Sequence, residues 1–246
     1  MKKYLLVVIG LAVSMASGLS VFALTAEEII AKVDANQYIT SARAEAEMVI
    51  TNAGRKITKT MVSITDGENG LTEFTNPRDR GTKFLKRGDE LWMFFPEAED
   101  IVKISGHMLS QAMMGSDFSY QDLMESDKLT ELYTFTLIGE DEVNGRPCYV
   151  LEGIAVEGKE VSYYRRKIWI DQERFVGLKE ELYAQSGRLL KVLTVTRVEE
   201  IAGRWFPVAS VMENKLRKNT QTEFLITALE FDPEIPPGTF TLERLR

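Results

Sequence analysis

The sequence predicts an α+β, mainly β protein: one large curled antiparallel sheet, with an N-terminal helix and a helical insertion covering its concave face. Three observations predict it. About ten or eleven segments of strand-like patterning, divided by tight-turn residues, run from residue 43 to 231. Helical periodicity is confined to residues 26–38 and to an insertion at 105–125. No linker, repeat or composition shift marks a second domain, so residues 24–246 read as one domain. A sheet this wide curls, and a helix on its concave side then encloses an apolar cavity.

Residues 1–23 give the chain's address. Lys2 and Lys3 precede an uncharged run from Tyr4 to Ala23 that ends in small residues, the pattern of a secretory signal peptide cleaved after Ala23. Gly10, Ser14, Ser17, Gly18 and Ser20 argue against an uncleaved anchor. Removing the two lysines makes the formal charge of −7 two units more negative. Nucleic acid is thereby excluded as a partner, because its binding needs concentrated Lys and Arg. The single cysteine, Cys148, forms no internal disulfide, so stability must come from burial.

The elements follow in order. Thr25 and Glu28 form a capping-box pattern ahead of Ile29, Ile30 and Val33 at helical spacing. Ala44, Ala46, Met48 and Ile50 alternate with polar neighbours, and Lys56 to Ile64 continues after an Asn-Ala-Gly turn. Residues 71–75, 82–86 and 90–95 are further strands. In the last, Leu91, Met93 and Phe95 share one face and Trp92 and Phe94 the other, so both faces are covered; Pro96 ends it. Residues 131–138 and 147–154 flank an Asn-Gly hairpin turn. Strands at 161–170, 177–184, 189–198, 205–216 and 222–231 complete the sheet, and Phe240 and Leu242 tuck in the tail.

Catalytic chemistry lacks parts. One histidine, His107, and one cysteine supply neither a metal site nor a dyad, and there is no Gly-x-Ser-x-Gly elbow or phosphate loop. Glu97, Glu99 and Asp100 read as a solvated loop after Pro96. No catalytic residue, metal or cofactor is expected. What stands out is the insertion, which holds Met108, Met113, Met114 and Met124 of ten methionines. Flexible thioethers suit a surface that adapts to varied apolar ligands. A helix over 106–114 gathers Met108, Leu109, Ala112 and Met113 on one face, and Ser119 with Asp122 caps a second short helix through Met124. Such a segment reads either as a core plug or as a lid flanked by Phe118 and Tyr120.

Several runs resemble a known family. Trp92 to Pro96, Met114 to Leu123 with its Gly-Ser-Asp-Phe-Ser-Tyr core, Lys167 to Asp171, the Gly-Arg-Trp-Phe-Pro turn at 203–207 and Phe240-Thr241-Leu242 resemble the outer membrane lipoprotein-sorting proteins, a branch of the LolA-like group. The resemblance implies a half-open barrel closed by helices, whose interior binds acyl chains of lipoproteins or other lipids in the periplasm. It also implies an inner-membrane transporter and an outer-membrane acceptor as partners. The function expected is a periplasmic carrier moving acyl cargo towards the outer membrane; the alternative is a lipid- or lipoprotein-sensing regulatory protein of the same fold. Candidate cavity and lid residues are Met48, Ile50, Met61, Leu91, Met93, Phe95, Met108, Met113 and Phe118. Alternation does not show which strand face is concave, so Trp92 and Phe94 stand as replacements for their neighbours.

Overall fold

The computed structural model describes residues 24–125 and 127–246, and the expected signal peptide lies outside them. Thirteen strands form one antiparallel sheet: β1 (Ala42–Asn52), β2 (Arg55–Thr65), β3 (Asn69–Phe74), β4 (Lys83–Arg87), β5 (Glu90–Phe95), β6 (Asp100–Ile104), β7 (Tyr133–Val143), β8 (Arg146–Ala155), β9 (Arg165–Asp171), β10 (Gly177–Tyr183), β11 (Leu189–Ile201), β12 (Arg204–Asn214) and β13 (Thr220–Phe231). Their order is β6-β5-β4-β3-β2-β1-β13-β12-β11-β10-β9-β8-β7. Every neighbour is a sequential hairpin partner except one pair. β1 and β13 align from Ala42↔Phe231 to Asn52↔Thr220 and join the two halves.

The sheet is curled, and α1 (Ala26–Gln37) shows by how much. The helix packs against both β7 and β12. Those strands stand five positions apart, about 24 Å on a flat sheet at the usual strand spacing, whereas a helix is only about 10–12 Å across. Bulges between Glu45 and Ala46, Leu137 and Gly139, and Gly177 and Lys179 supply local bending. The Thr25 hydroxyl accepts from the Glu28 amide and the Glu28 carboxylate accepts from the Thr25 amide, so the expected capping box starts the helix. Its face of Ala26, Ile29, Ile30 and Val33 buries Leu151, Ile168 and Ile170 of β8 and β9.

The convex face has its own cover. Leu85 and Phe94, with Leu71, Trp92 and Ile101, pack under Phe240, Leu242 and Leu245 of the tail. This is why β5 is apolar on both sides. Leu91 and Met93 face the concavity, while Trp92 and Phe94 face the tail.

Three expectations need correction. Asp100 is not in a loop: residues 100–104 form β6, paired from Phe95↔Asp100 to Leu91↔Ile104, so the edge strand was missed. Four apolar-leaning residues after an acidic turn carry too little periodicity to show a strand. Residues 129–132 form α3 (Leu129–Leu132), so the strand expected from 131 starts at Tyr133. Here a local cap made by a distant residue overrides the pattern, because the Asp34 carboxylate of α1 accepts from the Leu129 and Thr130 amides. The strand expected over 161–170 likewise begins only at Arg165.

Leu245 is fully buried against Leu85 and Phe94. Leu245→Ala is expected to lower the unfolding free energy by about 2–5 kcal/mol in urea denaturation. A loss below about 1 kcal/mol would mean that the tail is not a structural part of the convex core.

Candidate functional site

Between β1 and β6 the concave face is a continuous apolar trough. Met48 and Ile50 of β1, Met61 of β2, Phe74 of β3, Phe84 of β4, Leu91 and Met93 of β5 and Ile104 of β6 form its floor. They meet because alternate residues of antiparallel neighbours project to one side. α1 covers only the other half of the sheet, so this floor is covered by the segment 105–124.

That lid is not a helix over 106–114, as the spacing suggests. It is a folded loop with a 3₁₀ turn at Gly106–Met108, another at Met113–Gly115, and then α2 (Tyr120–Met124). Met114 and Gly115 both take positive φ, at 50° and 82°, and the Ser116 amide donates to the Met113 carbonyl at 2.9 Å. Two successive left-handed residues make a tight reversing turn that a helix cannot contain. A bridge between Ala112 and Ser119 closes the loop, so Ala112 faces solvent rather than the apolar face it was assigned to. The second expected helix does form: the Ser119 hydroxyl and Asp122 carboxylate complete its capping box.

The structure collects most of the candidate residues. Met48, Ile50, Met61, Leu91, Met93 and Met113 are buried together in the trough, and Met108 and Phe118 pack against them. Phe95, at the end of β5, is 39% exposed and lies outside this cluster. Tyr120 reaches Phe84 of β4 at 5.7 Å between rings, and Phe118 meets Phe224 of β13 at 6.0 Å. The lid thus spans from β4 to β13. An apolar space of about 140 Å³ remains between Met113, Phe118, Leu123 and Phe224, below the roughly 300–1,000 Å³ of a ligand pocket.

Sequence reasoning missed the groups that hold the lid down. Asp117, 2% exposed, accepts from the hydroxyls of Thr220 and Thr222 of β13 at 2.8 Å each. Asp122 accepts from Lys191 of β11 and from the Tyr163 hydroxyl, both at 2.6 Å. Glu125 accepts from the Ser162 amide at 2.6 Å and from Arg166 of β9 at 3.2 Å. Arg166 also donates to the Tyr133 hydroxyl at 3.1 Å and approaches Glu180 of β10 at 3.5 Å. One clue was available. Arg166 stands two residues before Ile168 and four before Ile170, so alternation points a charge inward.

Burial pushes the Tyr163 hydroxyl's pKa up, and the Asp122 charge adds to it. Burial lowers the Arg166 pKa, but Glu180, the Tyr133 oxygen and Glu125 outweigh it and leave the guanidinium more basic than usual. Burial raises the Glu180 pKa; Arg166 opposes the shift and the Glu125 charge reinforces it. Among the described residues no group of three or more His, Cys, Asp or Glu is placed to hold a metal. Glu97, Glu99 and His107 are exposed, and burial raises the Cys148 thiol's pKa to about 11, which leaves it a poor nucleophile.

A carboxyl whose pKa is raised by folding favours the folded state below its ordinary range, and that advantage is lost as pH rises through the raised value. Glu180→Gln removes the titration. The stability of the natural protein relative to Glu180→Gln should therefore fall as pH increases from about 4 to about 8, read by urea denaturation at each pH. A difference that stays flat over this interval would exclude a raised Glu180.

The fold has solved counterparts. A DUF1329 family protein from Desulfovibrio piger superposes with a TM-score of 0.80 at 27% identity, over 89% of this chain and 97% of that one. A putative outer membrane lipoprotein-sorting protein domain from Vibrio parahaemolyticus gives 0.77 at 27% identity, over 89% and 97%. A LolA superfamily protein from Nitrosomonas europaea gives 0.75 at 24% identity, over 90% and 100%, a likeness of fold. No curated protein matches the sequence. A family model described as "-like: Uncharacterized protein" matches residues 66–246, which takes in the lid and strands β3 to β13. The chain therefore belongs to that family, and its fold is similar to that of the Desulfovibrio piger and Vibrio parahaemolyticus proteins.

Proposed function

We propose that this protein is a periplasmic carrier that takes acyl chains of lipoproteins or lipids into the trough beneath the lid and passes them towards the outer membrane. One observation carries the reading. A wide apolar floor is covered by an irregular loop, and buried polar groups fasten that loop to the far half of the sheet. A core plug needs no such fastening, whereas a cover that lifts needs anchors that re-form. The outer membrane lipoprotein-sorting domain from Vibrio parahaemolyticus, similar over most of its length, supports both the compartment and the class of cargo.

The energetics suit exchange. Each methylene moved from water into the trough gains about 0.8 kcal/mol, so an acyl chain can replace the contacts of Met108, Met113, Phe118 and Leu123. These side chains lose their burial when the lid lifts, which reduces the net gain and keeps binding reversible. Methionine suits both states, because its thioether packs on trough and on chain alike.

The test uses a fluorescent neutral diacylglycerol and the exported protein. Saturable uptake is expected, and Met113→Asp should weaken it at least about tenfold while lowering the unfolding free energy by less than about 1.5 kcal/mol. No uptake by the natural protein would overturn the carrier reading. Equal losses of binding and stability would identify the loop as core.

A further inference from the structure

Arg166, Leu182 and Lys191 are register partners across β9, β10 and β11, so all three project into the concavity from one transverse row. Arg166 is 6% exposed and Lys191 8%. Phe118 of the lid packs against the cluster of Tyr163, Leu182 and Met212 as well as the trough, so this row borders the trough. The carboxylates facing the two cations are unusual in origin. Asp122 belongs to α2 of the lid, and Glu125 is the residue that ends that helix, three positions on. By contrast, the buried Lys59 in β2 pairs at 2.6 Å with Asp79 of the β3–β4 turn and keeps its partner whatever the lid does.

Lid motion therefore changes the charge of this row. With Asp122 and Glu125 withdrawn, Arg166 keeps Glu180 as its carboxylate partner and Lys191 loses the one carboxylate it is paired with. A buried charge without a partner costs several kcal/mol, so the open form calls for an anion. The concavity already holds donors that lack an acceptor. Arg166 Nε and Gln37 Nε2 are buried with no hydrogen-bond partner among the described residues, and both line one pocket of about 340 Å³ that Asp34, Lys128, Glu125 and Glu180 also line.

We propose that Arg166 and Lys191 bind the anionic headgroup, a phosphate or carboxylate, of the amphiphile whose acyl chains lie in the trough. The headgroup takes the places of Glu125 and Asp122. The ligand class is thus an anionic lipid, and Arg166 offers the planar fork that suits an oxyanion while Lys191 supplies a point charge. This inference rests on the carrier reading for its acyl half.

The experiment is competition against the bound neutral diacylglycerol probe. Phosphatidylglycerol is expected to displace it at least about tenfold better than phosphatidylcholine. Lys191→Met should reduce that ratio to below about threefold, and Asp122→Asn, which removes one competing carboxylate, should raise phosphatidylglycerol affinity. Circular dichroism and urea midpoints establish that both variants fold; if Lys191→Met does not, the Asp122→Asn result decides. Probe uptake with equal displacement by the two lipids would overturn the headgroup site and leave the carrier reading intact. Absence of probe uptake would remove both. Inorganic phosphate abolishing the phosphatidylglycerol preference at matched concentration would assign the cations to a free anion instead.

Discussion

A single sheet cannot bury its own inner face, and this constraint organises the whole structure. A sandwich would cover one sheet with another; here thirteen strands lie in one curled layer, so every apolar residue on the concave side needs cover from outside the sheet. The long ladder between β1 and β13 makes the demand larger, because it joins two six- or seven-stranded fans into one surface too wide for one helix. The chain supplies two covers of different physical character. α1 is a regular amphipathic helix whose apolar stripe is buried on β8 and β9. The 105–124 lid is an irregular loop over β1 to β6.

The two covers are held differently. α1 is committed to its place by close packing of Ile29, Ile30 and Val33, each at most 2% exposed, and by Asp34 capping α3. Its removal would expose a core that nothing else covers. Apart from the buried Met113, the lid rests on methionines and aromatics that remain half-buried, and its fixed points are Asp117, Asp122 and Glu125. Close packing yields little before it fails, whereas ion pairs and hydrogen bonds can break and re-form through water.

What was legible in the sequence was local. Both capping boxes, Thr25 with Glu28 and Ser119 with Asp122, are three-residue patterns, and they mark real helix starts. Alternation exposed most strands, and the two-sided β5 announced two covers. The β1–β13 ladder was not legible, since its partners lie up to 189 residues apart and no turn connects them. The lid's conformation was misread because spacing of Met108, Leu109 and Met113 fits a helix, while Met114 and Gly115 turn left-handed. The lid's fastenings were hidden for a different reason. Lys191, Asp122 and Glu125 look like solvated charges until the fold brings them together with Arg166 from three separate segments.

Those four charges also bear on release, which a carrier needs as much as capture. An acyl chain alone gives a trough no reason to let go, since its burial is favourable at every stage. If the row of Arg166 and Lys191 holds the headgroup, the lid carries its own competitor for that row. Asp122 and Glu125 lie on the turn that returns when the lid closes, and they reach the cations at 2.6 and 3.2 Å in the closed arrangement. Headgroup and lid then exclude one another at one row, while acyl chain and lid methionines exclude one another at the adjoining trough. Each binding contact is matched by a lid contact of the same chemistry, charge for charge and apolar for apolar, so the open and closed forms differ by less free energy than either contact set alone. A small difference of this kind is what allows an acceptor with a modest preference for the cargo to draw it out.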